Sequence, residues 1–201
     1  MSSGEKQLPV FVVDDDESVR DSLAFMLEEH DFNVTTFADG QSFLDEVDVQ
    51  QAGGCIILDS RMPNLRGQQV HQILNQANSP LAVIYLTGHG DVPMAVDALQ
   101  AGAVNFFQKP VKGDELAQAI LQGQAQSAAN LDMAAAKSAY ESLTPREKDI
   151  LRLIIAGKRN IRIADELCIA MRTVEVHRAN LLKKFSAKTV AELAYIYGKL
   201  D

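Results

Sequence analysis

Five short runs of β-branched and aromatic residues recur at 10–13, 33–37, 55–58, 82–86 and 104–107, with helix-like stretches between them. In the first of those stretches Val19, Leu23, Met26 and Leu27 fall on one helical face. Strand–helix alternation at this length predicts a five-stranded parallel sheet, doubly wound and flavodoxin-like, with helices on both faces. The runs are nearly all apolar, as strands covered on both sides must be.

Open α/β sheets collect ligands at the carboxyl ends of their strands, so the residues that follow each run matter. Asp14-Asp15 follow Val10–Val13, Asp59 follows Cys55–Leu58, Thr87 follows Ala82–Leu86, and Lys109-Pro110 follow Val104–Phe107. These groups are expected to converge on one pocket. Two carboxylates ~4 Å apart repel by about 4 kcal/mol at an effective dielectric near 20. Three of them against one lysine predict a hard cation, and Mg²⁺ suits oxygen ligands completed by phosphate oxygens. With metal and lysine neutralising an incoming phosphoryl group, a carboxylate can act as nucleophile and form an acyl phosphate. Asp59, alone at its strand end, is the candidate nucleophile. Asp14 and Asp15 would hold the metal, Lys109 would pair with phosphoryl oxygens, and the Thr87 hydroxyl would reach one of them. The competing reading is that strand ends simply carry polar residues, as loops do.

The chain of 201 residues has room for one or two domains, and its net charge of −8 is unevenly spread. Residues 1–130 hold 6 Lys/Arg against 18 Asp/Glu, a balance of −12; residues 131–201 hold 13 against 9, a balance of +4. Only the second part is suited to a polyanion. Cys55 and Cys168 lie in apolar stretches and read as two buried thiols of a reducing compartment. No apolar run approaches the ~18 residues of a membrane span, and the N-terminus lacks a signal-peptide pattern, so the expected location is the cytoplasm.

An Ala/Gln/Ser-rich stretch runs from Asp114 to about Ser142. Its strong helix formers predict a helical linker, with a disordered tether as the alternative. The expected divisions are 1–124, a linker at 125–140, and 141–201. Thr144-Pro145-Arg146-Glu147 has the N-cap, first-position proline and third-position glutamate of a capping box. Ile150, Leu151, Ile154 and Ile155 give that helix its buried stripe, and Gly157 ends it. Asn160 is the expected cap of a second helix burying Ile163, Ala164 and Leu167. A third helix from about Met171 turns Val174, Leu181 and Phe185 inward, and Ala191, Leu193, Ala194 and Ile196 mark a fourth. Four short helices with a three-residue turn between the second and third describe an all-α helix-turn-helix unit. Its third helix would enter the major groove, with Glu175, Val176, Arg178 and Ala179 pointing away from the core. Thr173, Lys183 and Lys184 are the expected phosphate partners. His177 is expected near the inner face.

The runs Val-Asp-Asp-Asp at 13–16, Leu-Asp-Ser-Arg-Met-Pro at 58–63, Thr-Gly-His-Gly at 87–90 and Gln-Lys-Pro at 108–110 resemble a response-regulator receiver. Leu-Thr-Pro-Arg-Glu at 143–147 and Arg-Thr-Val-Glu-Val-His-Arg-Ala-Asn at 172–180 resemble the LuxR/NarL/FixJ DNA-binding domain. Leu-Thr-Gly-His-Gly-Asp-Val-Pro-Met-Ala-Val at 86–96 is FixJ-like. The resemblance implies phosphoryl transfer to Asp59 from a sensor histidine kinase. It implies Mg²⁺ held by Asp14, Asp15, Asp59 and the backbone carbonyl of Arg61, with Thr87 and Lys109 on the phosphoryl group and Phe106 as the switch aromatic. Ordinary core packing is the competing reading of Phe106. Asp16 falls outside the metal shell. Arg61 and His89 lie where they either tune acyl-phosphate hydrolysis or stand as solvated surface side chains. Glu175, Val176 and Ala179 would face bases, with Arg178 near the backbone. The implied partners are promoter DNA, a second copy of the chain on phosphorylation, and RNA polymerase. The implied process is tetrathionate or other anaerobic respiration, and the only catalysis is the protein's own phosphorylation and dephosphorylation.

One departure stands out. Where the family turns through Gly-Ile-Ser, this chain has Cys168-Ile169-Ala170. Glycine supplies a left-handed residue cheaply and serine caps the next helix, so losing the cap should cost roughly 1 kcal/mol. Two other classes fit parts of the pattern. A phosphohydrolase with an aspartyl nucleophile would carry a second Asp where Arg61 stands. A phosphorylation-independent protein-docking scaffold would not need the Asp/Thr/Lys set.

Overall fold

The computed structural model describes residues 8–88 and 92–200. The chain forms two compact units, divided between Leu131 and Asp132.

In the first unit, β1 (Val10–Val13), β2 (Val34–Phe37), β3 (Cys55–Leu58), β4 (Ala82–Thr87) and β5 (Asn105–Gln108) form a parallel sheet of order β2-β1-β3-β4-β5. Val13 pairs with Leu58 and Leu58 with Tyr85, so β1 and β3 end level while β4 runs on past them to Thr87. The two-residue period of a strand sorts the apolar runs onto opposite faces. Val10, Val12, Ile57, Ile84 and Leu86 meet α1 (Glu17–Glu28) and α5 (Gly113–Glu141) through Leu23, Leu27, Leu116 and Ile120. Phe11, Val13, Ile56, Leu58, Val83 and Tyr85 pack instead with Phe43, Val70, Leu74 and Ala98. Those four belong to α2 (Gly40–Glu46), α3 (Gly67–Gln76) and α4 (Val92–Gln100). Phe11, Phe37 and Phe43 form a ring cluster with centroids 5.4–6.2 Å apart. The predicted doubly wound sheet is present.

The Ala-rich stretch is continuous helix. α5 runs through to Glu141, with Gln124 and Ser127 buried and the Ser127 hydroxyl accepting from Gly54 N at 2.9 Å.

The second unit holds α6 (Pro145–Ile155), α7 (Asn160–Leu167), α8 (Met171–Lys184) and α9 (Val190–Gly198) around Ile150, Leu151, Ile154, Ile163, Val174, Leu181, Phe185 and Leu193. The capping box at the start of α6 is made as expected: Glu147 N donates to Thr144 Oγ1 at 3.2 Å, and Thr144 N donates to Glu147 Oε2 at 2.9 Å. Three details differ from the sequence reading. Asn160 does not cap α7; it is the first helical residue, and its side chain accepts from Arg178 instead. Ile155 and Leu167, expected in the buried stripes, are half-buried and pack against the core from its edge. Cys168 is exposed rather than buried, at the left-handed C-cap that ends α7. Its φ of 51° is left-handed, the conformation that glycine adopts most cheaply. Ala170 begins α8 with no side-chain cap.

Candidate functional site: an acidic strand-end pocket and a basic helix

Asp14, Asp15 and Asp59 leave the adjacent strands β1 and β3 on the same side, and their carboxylate oxygens lie within 4.8 Å of one another. Asp14 and Asp59 are buried and Asp15 is exposed. Lys109, just beyond β5, sets its Nζ 2.5 Å from Asp14 Oδ2 and 3.4 Å from Asp59 Oδ2. Asp14 Oδ1 also accepts from Asp16 N at 3.1 Å, and Asp59 Oδ1 from Arg61 N at 3.3 Å. Burial pushes the Asp14 carboxyl above its usual range, against the opposing hydrogen bond and charge of Lys109. Burial alone would lower the Lys109 pKa, yet its bonds to Asp14 and its pairing with Asp59 outweigh that and hold the ammonium above its ordinary value. Among the described residues Lys109 is the only cation paired with these three carboxylates, while Arg20 donates to the Asp14 backbone carbonyl at 2.8 Å, so the pocket is short of positive charge. Its donors are all hard oxygens, a set consistent with Mg²⁺.

Asp16 is not part of the cluster. It caps α1, accepting from Ser18 N and Val19 N. Thr87 ends β4 almost wholly buried, and its Oγ1 accepts from the Ser60 hydroxyl at 2.7 Å. Phe106 is half-buried beside Tyr85, ring centroids 6.0 Å apart. Arg61 is exposed, and His89 lies outside the described residues.

Sequence reasoning missed three supports of this pocket. At Gly67 an added Cβ would stand 2.2 Å from the carbonyl oxygen of Asp59, so no side chain fits where α3 passes under the pocket. Buried Tyr85 places its hydroxyl 3.4 Å from Gly67 O and 3.3 Å from His71 Nδ1, linking β4 to α3. Ser60 is the third. The signal for Gly67 is legible only as a glycine opening a helix, and for the other two there is none.

In the second unit, α8 presents Thr173, Val176, Ala179 and Lys183 to solvent, with Glu175 and Arg178 half-exposed. Glu175 pairs with Arg172 at 3.2 Å, and Arg178 donates to Asn160 Oδ1 at 3.0 Å. Lys184, read from sequence as a phosphate partner, is held by Glu147 at 2.8 and 3.0 Å. That pairing, with the backbone N–H of Thr144, pulls the Glu147 pKa down to about 2. Exposed Arg159 and Arg162 of the α7 end, not singled out from sequence, add positive charge to the unit. His177 is half-buried, and its Nδ1 is a buried nitrogen without a hydrogen-bond partner among the described residues.

A parallel sheet with an Asp/Asp/Asp/Lys pocket at its strand ends, followed by a helix-turn-helix unit, defines the class of phosphorylation-controlled DNA-binding switches. Residues 10–121 match the family described as the response regulator receiver domain, and residues 141–197 match bacterial regulatory proteins of the luxR family. The chain is 42% identical over 191 residues to the tetrathionate response regulatory protein TtrR of Salmonella typhimurium, covering 95% of this chain and 92% of that one. It is equally 42% identical over 188 residues to the transcriptional regulatory protein FixJ of Bradyrhizobium diazoefficiens, covering 92% and 91%. Among solved structures, the response regulator StyR superposes with a TM-score of 0.70 at 38% identity, covering 96% of this chain and 99% of that one. Full-length FixJ from B. japonicum gives 0.57 at 38% identity, covering 96% and 97%. The chain belongs to the FixJ-like response regulators of the LuxR family, and is a phosphorylation-activated transcriptional regulator of a two-component system. A histidine kinase and DNA are the partners that these two domains imply.

Proposed function

We propose that Asp59 is the phosphoacceptor and that the rest of the pocket serves its phosphorylation. The observation that carries this is the buried Asp59 carboxylate, clustered with Asp14 and Asp15 and touched by Lys109. An Asp59 carboxylate oxygen attacks the phosphorus of a phosphohistidine on the kinase. The O–P bond forms, the P–N bond breaks, and its electron pair stays with the imidazole. Asp14, Asp15, Asp59 and the Arg61 carbonyl would hold Mg²⁺, which supplies charge neutralisation for the phosphoryl oxygens. Lys109 pairs with one of those oxygens and Thr87 with another. Water attack on phosphorus later returns Asp59 and inorganic phosphate. Self-phosphorylation and dephosphorylation are the whole of its catalysis. Arg61 stands where an aspartyl phosphohydrolase would need its acid/base, which disfavours turnover chemistry.

On phosphorylation about −1.5 to −2 charges enter the pocket. Thr87 moves toward them and Phe106 fills the space it leaves, a packed two-state readout. The face of α4 and β5 then pairs with a second copy, so that two basic units occupy adjacent half-sites ~34 Å apart. On DNA, Glu175, Val176 and Ala179 read base edges, while Thr173, Arg178 and Lys183 contact the backbone, with Lys184 beside them. The working divisions are 1–124 as receiver, 125–140 as helical linker and 141–201 as DNA-binding unit. The regulator acts in the cytoplasm, with RNA polymerase as the further partner and tetrathionate or other anaerobic respiration as the process. The name of TtrR supports that last point.

Acetyl phosphate with Mg²⁺ should phosphorylate the chain once, seen as a single shifted band on a phosphate-affinity gel, and Asp59→Asn should abolish the shift. Equal modification of the variant would remove Asp59 from its role. Genome-wide DNA capture with the activated protein would test the process.

A further inference from the structure

Ser60 follows Asp59 directly and is 1% exposed. Its hydroxyl donates to Thr87 Oγ1 at 2.7 Å, and Thr87 is that hydroxyl's one partner among the described residues. The Ser60 backbone is pinned as well. Its carbonyl accepts from Gly67 N at 3.3 Å, and Gly67 lies so close that a Cβ there would stand 3.1 Å from Ser60 Cα. Ser60 therefore cannot follow Thr87 if Thr87 moves.

We propose that Ser60 is a positioning residue that holds Thr87 back from the phosphoryl group and so sets how readily the switch is thrown. This rests on the reading of Asp59 as phosphoacceptor and Thr87 as phosphoryl-binding. The length of the bond is at the usual value for a hydroxyl pair. When Thr87 turns to a phosphoryl oxygen, the Ser60 hydroxyl loses its acceptor at a position sealed from water. No other partner of that hydroxyl is found among the described residues, so this buried hydrogen bond favours the resting arrangement. Removing the hydroxyl removes the bias. The resting state loses the bond, and the activated state no longer carries an unsatisfied buried donor. The activated state should then be favoured about fivefold more than in the parent, the equivalent of about 1 kcal/mol. Alanine is the least disruptive replacement, because it keeps the backbone contact with Gly67 and adds no atom to a filled site.

The test uses the full chain and the phosphoryl mimic beryllofluoride with Mg²⁺, reading bound fluorine by NMR as the mimic is titrated. Ser60→Ala should half-saturate at about fivefold lower mimic concentration than the parent. Ser60→Cys, similar in size with a weak S–H donor, should fall between the two. In a Thr87→Ala background, Ser60→Ala should leave half-saturation where it is, because the partner is already gone. An unchanged or weakened response in Ser60→Ala overturns the proposal, as does an equal shift in both backgrounds, which would mean packing alone. Asp59→Asn separates this from the underlying reading. If that variant loses the mimic while Ser60→Ala behaves as the parent, only the Ser60 proposal fails. If Asp59→Asn binds the mimic as the parent does, both fail.

Discussion

Replacing Glu147 by Gln should destabilise the second unit at neutral pH and leave it nearly untouched in strong acid. Glu147 closes the α6 capping box and pairs with Lys184 of α8. Its side chain is 10% exposed while that of Lys184 is 36% exposed. The bond from Lys184 and that from Thr144 N lower its pKa from 4.5 to about 2. A carboxylate depressed on folding contributes stability that is fully present above its unfolded pKa and lost as pH falls through the folded one. The window here is therefore between about pH 4.5 and pH 2. Taken whole, the shift corresponds to about 3 kcal/mol, and screening of the partly exposed Lys184 reduces this to roughly 1–2 kcal/mol. Glutamine keeps an oxygen for the Thr144 N–H but loses the charge that Lys184 answers. Hydrogen exchange on the α6 and α8 amides reads this unit without interference from the receiver's own acid titration. The difference between parent and variant should be about 1–2 kcal/mol at pH 7 and shrink steadily below pH 4.5. A gap that persists unchanged to pH 2.5 would refute the ion pair as its source and leave only altered packing.

Other perturbations follow from the same geometry. Cys168→Gly with Ala170→Ser should stabilise the second unit by about 1–1.5 kcal/mol, from an easier left-handed residue and a restored cap. Thermal melts of residues 132–201 should then rise by roughly 4–8 °C per kcal/mol, and no rise would mean that Cys168 makes compensating contacts. Lys183→Ala should flatten the salt dependence of DNA binding by about 0.9, whereas Lys184→Ala should flatten it less, because Glu147 already offsets that charge. Equal slopes for the two variants would contradict the offset. Glu175→Ala should relax base preference at one position, costing about 1–3 kcal/mol of discrimination. Isotherms on cognate and single-substituted duplexes read this directly, and a uniform loss across all sequences would show that Glu175 does not face a base.

The sheet and its pocket were legible because the physics of a parallel sheet is local to the strands. Strands covered on both faces must be apolar throughout, so Val10–Val13 and Cys55–Leu58 announce themselves, and whatever breaks the run sits at the ligand-binding edge. The supports behind the pocket are of another kind. Ser60 matters through the direction of one hydroxyl, and Gly67 through a close approach to a carbonyl eight residues earlier. Neither has a composition or a spacing that distinguishes it from an ordinary loop serine or helix-start glycine. Cys168 was misplaced for a related reason: its neighbours are apolar, but it is the left-handed cap of α7 and its side chain is exposed.

The helix-turn-helix half shows where sequence patterns stop. Its buried stripes follow from 3.6-residue periodicity, and Ile150, Ile154, Ile163, Val174, Leu181 and Leu193 all lie in the core as the spacing requires. What an exposed cation does is a different matter, because it depends on which charges the fold has already answered. Lys183 and Lys184 are neighbours of one type on one helix. Thirty-seven positions away from the second, Glu147 caps another helix and reaches across to it, while Lys183 stays open to solvent. A charge count sees two equal contributions to a DNA-binding surface. Of these two lysines the folded unit leaves Lys183 exposed, with no ion pair among the described residues, and commits Lys184 to the packing of α6 against α8, so the electrostatic reach of this helix is smaller than its formal charge.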